Sequence, residues 1–337
     1  VILVLTQDCP PDGVERILQH LRQLGAAGRL IQTGQRALIA FEEIGDIAVD
    51  VLEGLPGVQW VVPTAAEESP GRESLPRMPA TLELRPGVVV GGQRLAILAG
   101  PCSVESEAQL LAVAQAARDA GAVGLRGGAF KPRTNPYSFQ GLGEQALEML
   151  ALAREATGLA VVTEVMAAEQ VDLVARYADV LQIGTRNMHN FSLLSAVGQA
   201  GKPVLLKRGW SATLEEWLHA AEYVLHAGSS RILLCERGIR TFERYVRNTL
   251  ALAVVPAAKQ RSPLPVLVDP SQGTGVAELV APMSKAAVAC GADGLLIEVH
   301  PDPSRAVTDG PQSIDIPTFQ ALMADLKMVA NAVGRSI

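Results

Sequence analysis

The sequence predicts an α/β protein: a (β/α)8 TIM barrel preceded by a small βαββαβ ferredoxin-like domain. Three observations carry this. Eight continuous apolar strand candidates alternate with amphipathic helices over roughly 240 residues, the pattern of a parallel sheet closed on itself. All eight run into polar or ionisable residues, whereas their starts (Leu95, Ala122, Leu159, Pro203) are bland. Ahead of them, residues 1–63 repeat the split βαβ order on a smaller scale.

Composition sets the outer bounds. The chain has 337 residues, 48% of them apolar and 19% charged, enough to bury a sizeable core. A net charge of -6 argues against a general nucleic-acid binder, so any anion site must be a local concentration of cations. Four dispersed cysteines (Cys9, Cys102, Cys235, Cys290) form no C-x-x-C pair and point to a reducing compartment. No apolar run approaches the ~20 residues of a membrane span. The expectation is a cytoplasmic protein that contacts neither membrane nor nucleic acid and assembles as a homo-oligomer, a dimer or tetramer.

In the first 63 residues, VILVLTQ reads as a strand, and Val14, Ile17, Leu18, Leu21 and Leu24 recur at helical spacing. RLIQT and RALIAF follow as strands turning at Gly34 and Gln35, then a helical stripe from Ile44 to Leu55 and the strand VQWVVP. Residues 64–79 are polar, carry prolines and lack periodicity, which predicts a linker. A hairpin is expected next, with Gly91 and Gly92 at its turn. The barrel occupies residues 80–337. Its strands are expected at LAILAG, AVGLRG, LAVVTEV, DVLQIG, PVLLKRG, RILLCERG, LPVLVDPS and DGLLIEVH, with a helix after each, including one from Phe242 to Lys259.

The active site of such a barrel lies at the carboxyl ends of its strands. Those ends carry Cys102; Arg126 with Lys131 and Arg133; Glu164; Arg186; Lys207 with Arg208; Glu236 with Arg237; Asp269 with Gln272; and Glu298 with His300. The stretch RGGAFKPRTNPYSFQG places three cations in eight residues with no acid among them. Gly127 and Gly128 there are expected to let the backbone approach a ligand, and Pro132 and Pro136 to limit the loop's wandering. Arg126, Lys131, Arg133, Arg186, Lys207 and Arg237 converge only if the barrel closes. Paired one to one, they suit substrates carrying about four to five negative charges, which fits two phosphorylated small molecules. A lysine on a barrel strand can also form an imine, so Lys207 has a Schiff-base alternative.

Cys102, Glu298, His300 and Asp309 form a second constellation. A thiolate with carboxylates can hold a divalent ion that polarises a carbonyl oxygen. The bland alternatives are a buried strand-end cysteine, a cation's partner and a turn residue before Gly310.

The motifs AGPCSVES, RGGAFKPRTNPYSFQG, QIGTRNMHNFSLL, LLKRGW, CERGIRTFE, DPSQGTG, GADGLLIEVHPDP and TDGPQS, in that order, closely resemble the 3-deoxy-D-arabino-heptulosonate 7-phosphate (DAHP) synthases, specifically the branch with an amino-terminal ferredoxin-like domain. The resemblance runs from about residue 80 to the end. It implies condensation of phosphoenolpyruvate with erythrose 4-phosphate and release of phosphate, the first committed step of the shikimate route to aromatic amino acids. It implies that Arg126, Lys131, Arg186, Lys207 and Arg237 hold phosphoenolpyruvate, that Arg133 and Thr134 hold the aldose phosphate, and that Glu164 positions the attacking water. Lys131, Glu164 and Lys207 are the expected catalytic groups. The implied ligands of a divalent metal (Mn, Fe, Co or Zn) are Cys102, position 272, Glu298 and Asp309. Gln272 departs from the family's D-P-S-H-G-T-G, where a histidine is expected. The alternatives are the sister synthase that makes 3-deoxyoctulosonate 8-phosphate from arabinose 5-phosphate, and a catalytically weakened, effector-binding regulatory homologue. The first 63 residues are expected to act as an ACT-like regulatory domain, with tyrosine or phenylalanine as effector.

Overall fold

A computed structural model describes residues 1–6, 9–33, 36–41, 47, 49–62, 81–133 and 135–337. The expected turn at Gly34 and Gln35, the linker at 64–79 and Thr134 lie outside these residues. The chain separates into two compact units, formed for the most part by Val1–Met78 and by Pro79–Val224 with Ser229–Ile337.

The first unit runs β1 (Ile2–Leu5), α1 (Pro11–Gln23), β2 (Gly28–Thr33), β3 (Arg36–Phe41), α2 (Val49–Glu53) and β4 (Val58–Val62). Its sheet has the order β2-β3-β1-β4 with antiparallel neighbours, so β1 sits between β3 and β4. Val14, Ile17 and Leu21 recur along one face of α1, and this face packs with Leu3, Leu5, Ile39, Phe41, Leu52 and Val61 into one core. Pro11 opens α1 at a position where its missing N–H costs nothing. The helix expected from Ile44 to Leu55 falls partly on residues outside the described ones, and its described helical part is α2.

The second unit opens with the hairpin β5 (Thr81–Arg85) and β6 (Val88–Gly91). Its turn is at Pro86 and Gly87, not at Gly91 and Gly92. Pro86 presets φ at the first turn position, and Gly87 supplies the positive φ of 81° the second requires. Leu82, Leu84 and Val90 join Ala96, Ala160, Val180, Leu205, Leu233 and Leu267, near the starts of barrel strands, in one apolar cluster. Arg85 donates to the carbonyls of Gly158 and Leu159, and Arg231 donates to that of Glu83. The hairpin therefore caps the amino-terminal end of the barrel.

Eight parallel strands close the barrel: β7 (Ala96–Gly100), β8 (Gly124–Arg126), β9 (Ala160–Glu164), β10 (Val180–Ile183), β11 (Val204–Lys207), β12 (Ile232–Glu236), β13 (Val266–Val268) and β14 (Gly294–Glu298). β14 pairs with β7 from Gly294↔Ala96 to Glu298↔Gly100, which seals the ring. The helices are α3 (Glu107–Ala120), α4 (Glu144–Thr157), α5 (Val171–Tyr177), α6 (Phe191–Gln199), α7 (Leu214–His226), α8 (Val254–Arg261), α9 (Pro270–Thr274), α10 (Ala277–Ala289) and α11 (Ile316–Ala332). Among the described residues, no helix is long and apolar enough to cross a membrane.

One expected helix is shortened. α8 begins at Val254 rather than Phe242, because Ile239 and Thr249 pair as an antiparallel bridge and Glu236 Oε1 accepts from the backbone N–H groups of Gly238 and Ala251. The backbone between is thereby held as an irregular loop.

Candidate active site

The carboxyl ends of the strands open onto a cavity of about 270 Å³. Six cations line it: Lys131, Arg133, Arg186, Lys207, Arg237 and Arg247; Glu164, Gln272 and Asp309 are the acidic and amide groups nearest them in role. Lys207 ends β11, Arg237 follows β12 directly, and Arg186 lies in the 3-10 turn Thr185–Asn187 after β10. The ring of strand ends, not sequence proximity, gathers them.

Three of these cations are oriented by different devices. Lys207, 1% exposed, has Nζ 2.5 Å from Asp269 Oδ2 and donates to Gln272 Oε1 at 3.0 Å. Asp269 uses its other oxygen to cap α9 by accepting from the Gln272 N–H at 2.8 Å. Lys207 is thus held against a carboxylate, whereas the Schiff-base alternative needs its neutral amine. Arg186 stands over the Trp210 ring, its guanidinium carbon 4.9 Å from the centroid, and Arg240 stacks on the same ring at 4.3 Å. Arg237 donates to the Gln272 carbonyl at 3.4 Å, and its Nε is buried without a partner among the described residues. Such an orphaned donor suits an anionic ligand.

Glu164 ends β9 beside Gln182, whose Nε2 donates to it at 3.4 Å. Burial raises its pKa above the ordinary carboxylate range, against the pull of Lys131, Lys207, Arg126 and Arg186. A methyl group on Gly184 would overlap Glu164 Oε1, so the glycine makes room for the carboxylate.

Arg126 is not among the cavity-lining residues. Its guanidinium lies 2.6 Å from Glu298 Oε1, both side chains are buried, and its Nε has no partner among the described residues. Gln312 Nε2 donates to Glu298 Oε2 at 2.6 Å. Burial works to raise the Glu298 pKa, but Arg126 and Lys131 outweigh it and hold it at about 2. Beside it, Lys131 Nζ is 2.9 Å from Cys102 Sγ, which is 3.1 Å from Asp309 Oδ2.

Cys102, Glu298 and Asp309 offer donor atoms within 4.8 Å of one another. A thiol and two carboxylates fit a divalent first-row ion. Asp309 is the one non-glycine with positive φ among the described residues, at 51°, a strain typical of functional positions. Burial and the Glu298 charge push the Cys102 thiol up to about 12, so a thiolate there calls for a compensating positive charge.

Several expectations change. His300 does not join this cluster: its Nε2 lies 3.4 Å from Glu105 Oε2, and its Nδ1 accepts from the Asp302 N–H. Glu105 also accepts from the Val307 N–H, so the pair fastens the loop that leads to Asp309. Gly127 and Gly128 admit protein, not ligand: a Cβ on Gly127 would meet Leu150 and Val104, and one on Gly128 would meet Cys102 and Lys131. Arg208 is occupied by Glu236 and the Ala212 carbonyl.

Three contributors were not singled out from sequence. Arg247 lines the cavity and donates to Gln312 Oε1 at 3.0 Å and Asp309 Oδ1 at 3.4 Å. It was hidden inside the helix expected from Phe242 to Lys259. Trp210 stood within a quoted motif without a role. Gln312, in TDGPQS, carried no signal beyond the motif.

The family model described as "DAHP synthetase I family" matches residues 77–332. The chain is 51% identical over 247 residues to a phospho-2-dehydro-3-deoxyheptonate aldolase of Thermotoga maritima, covering 73% of each chain. It is 34% identical over 269 residues to a 2-dehydro-3-deoxyphosphooctonate aldolase of Syntrophotalea carbinolica, covering 75% of this chain and 96% of that relative. A crystal structure of the phospho-2-dehydro-3-deoxyheptonate aldolase (DAHP synthase) from Thermotoga maritima superposes with a TM-score of 0.77 at 40% identity, over 99% of this chain and 98% of that one. A truncated form of the synthase from that organism superposes with a TM-score of 0.71 at 45% identity, over 76% of this chain and 94% of the other.

Proposed function

The chain belongs to the DAHP synthetase I family, and from that membership we infer an aldol-type transferase that condenses phosphoenolpyruvate with erythrose 4-phosphate and releases phosphate. The heptonate reading is favoured over the octonate one by 51% against 34% identity. The observation that carries it on the chain itself is the cavity with six cations gathered from four strand ends: Lys131 and Arg133 after β8, Arg186 after β10, Lys207 on β11, and Arg237 and Arg247 after β12.

Arg186, Lys207 and Arg237, with Lys131 beside them, hold the phosphate and carboxylate of phosphoenolpyruvate, while Arg126, paired with Glu298, lies outside the cavity lining. Arg133 and Thr134 hold the aldose phosphate. Two bidentate or charge-assisted anchors fix the reacting carbons in place, so that association entropy is spent on binding and not in the chemical step. The C2=C3 π pair of phosphoenolpyruvate forms the bond from C3 to the aldehyde carbon while the aldehyde C=O π pair moves onto its oxygen, which takes a proton, and positive charge develops at C2. Glu164 positions a water that adds at C2 and loses a proton; the resulting C2 hydroxyl then gives up its proton to become the ketone as phosphate leaves with its C–O bond pair. The surrounding cations stabilise the oxygen charge that moves from substrate to leaving group.

Cys102, Glu298 and Asp309 would hold a divalent ion, Mn, Fe, Co or Zn, with Gln272 at the remaining family position; when bound, it supplies Lewis-acid polarisation of the aldehyde oxygen. Residues 1–63 act as the regulatory domain, joined by the linker 64–79, with tyrosine or phenylalanine as effector.

The test is disappearance of phosphoenolpyruvate with purified protein and aldose phosphates of four and five carbons. Turnover with erythrose 4-phosphate is expected. Preference for arabinose 5-phosphate would move the chain to the octonate branch, and turnover with neither would favour the regulatory homologue.

A further inference from the structure

We propose that Gln272 is a positioning residue for Lys207 and is not a ligand of the metal, so that this chain holds its ion through Cys102, Glu298 and Asp309. The proposal rests on the synthase reading above and concerns the one position where the sequence departs from the family motif.

The orientation of the Gln272 amide is fixed by its neighbours' chemistry. Lys207 Nζ, 3.0 Å from Oε1, has only hydrogens to give. Glu298 Oε1, 3.4 Å from Nε2, can only accept from a protein amide. Turning the amide over would set its NH2 group against an ammonium and its oxygen against a carboxylate. The oxygen, the atom with which an amide would ligate a cation, therefore faces Lys207. The nitrogen, which cannot ligate, faces the carboxylate of the metal cluster. The backbone allows little rearrangement: the Gln272 N–H is held by Asp269 at 2.8 Å, and its carbonyl accepts from Asn248 at 2.9 Å and Arg237 at 3.4 Å. Gly273, next in the chain, is packed so closely on Leu250 that a Cβ would lie 2.6 Å from it.

The ammonium of Lys207 has three hydrogens. Asp269 takes one and Gln272 takes a second. The third is left to point at whatever fills the cavity that Lys207 lines. Gln272 thus sets the direction of a substrate-binding hydrogen. A neutral histidine has one ring lone pair, which serves either Lys207 or a metal but not both. In this chain the glutamine moves that position to the substrate side, and leaves the metal a thiol and two carboxylates.

The test uses the full chain with Gln272→Met, which keeps length and removes both hydrogen bonds, and Gln272→His. Mn(II) affinity is measured by electron paramagnetic resonance titration, and KM for phosphoenolpyruvate and kcat are measured separately. For Gln272→Met, the expected result is a KM for phosphoenolpyruvate raised roughly tenfold, the effect of losing a hydrogen bond to a charged group, with a smaller change in kcat. Its Mn(II) affinity should stay well inside the roughly 10- to 100-fold loss that accompanies damage to a metal's support. Gln272→His should bind Mn(II) more tightly than the parent while also showing the raised KM. A tenfold or greater loss of Mn(II) affinity in Gln272→Met, or an unchanged KM for phosphoenolpyruvate, overturns the proposal. A parent chain without Mn(II) affinity refutes the three-donor metal site instead, and the KM comparison then decides the Lys207 contact by itself.

Discussion

The Arg126 guanidinium and the Glu298 carboxylate meet at 2.6 Å inside the barrel, joining the end of β8 to the end of β14 past the intervening β7. With 4% and 0% of these side chains exposed, neither charge has water to fall back on. Removing one partner strands the other, a loss of about 3–5 kcal/mol for buried pairs. Arg126→Met is therefore expected to destabilise strongly, and Arg126→Met/Glu298→Leu to cost less than the two single changes together. Urea unfolding of the four proteins measures this; simple additivity would mean the two charges are not coupled.

Arg133 lines the cavity on the loop after β8 and, unlike Lys207 and Arg126, is not in the ion pairs with Asp269 and Glu298. Arg133→Ala should raise the KM for erythrose 4-phosphate by an amount equivalent to roughly 1.5–3 kcal/mol, one hydrogen bond to a charged group, and change that for phosphoenolpyruvate much less. Steady-state kinetics with each substrate varied in turn tests it, and equal effects on both would remove Arg133 from the aldose side.

Glu164 is held above the ordinary carboxylate range, chiefly by burial. The unfolded chain releases this proton at lower pH than the folded one, so the ionised form burdens the native state at neutral pH. That burden disappears as pH falls to about the unfolded value near 4.3. Glu164→Gln should accordingly melt above the parent at pH 7 and lose that advantage near pH 4, while its activity drops on the order of 100-fold if the carboxylate manages the attacking water. Thermal melts at the two pH values would disagree with this if the difference between the proteins did not change.

How the sequence foretold the barrel and yet missed parts of the site has a physical explanation. Period and polarity change sharply at the end of a buried parallel strand: ILLCE and GLLIE run apolar until the last residue, so Glu236 and Glu298 mark strand ends without any structure. Loops have no such period. Residues 242–253 contain enough Phe, Val and Leu to imitate a helix, and what unwinds them is the long-range bond of Glu236 to Gly238 and Ala251. Arg247 reaches the cavity only because of that. Glycine is equally ambiguous. Gly127 and Gly128 read as ligand-facing, but their near neighbours are Leu150, Val104, Cys102 and Lys131, a matter of packing that no local pattern records. Chemistry is ambiguous too: a strand-end histidine such as His300 is a reasonable ligand until Glu105 and the Asp302 N–H are seen to use both its nitrogens.

Removal of the metal is expected to matter, since Cys102, Glu298 and Asp309 bring their donor atoms within 4.8 Å of one another and burial pushes the thiol up to about 12 even beside Lys131. Dialysis against a chelator should lower activity, and Mn(II) should restore it. Full activity in excess chelator, with elemental analysis finding no metal, would leave aldehyde polarisation to the cations and take Cys102 out of the reaction.

The last prediction separates the two units. The core of the first is built from its own residues, Leu3, Leu5, Val14, Ile17, Leu21, Ile39, Phe41, Leu52 and Val61, and the barrel closes through β14 and β7 without any strand from it. All the catalytic and binding side chains considered above follow Pro79. A chain beginning near Pro79 should therefore fold, retain measurable turnover and keep its KM for phosphoenolpyruvate. If residues 1–63 carry the effector site, the same truncation abolishes inhibition by tyrosine or phenylalanine, because an effector bound to a separate unit can act on the cavity only through that unit's movement. Assaying both lengths of chain across an effector titration decides the matter. Inhibition that survives the truncation places the effector on the barrel, and absence of inhibition in the full chain leaves the first unit a role in assembly.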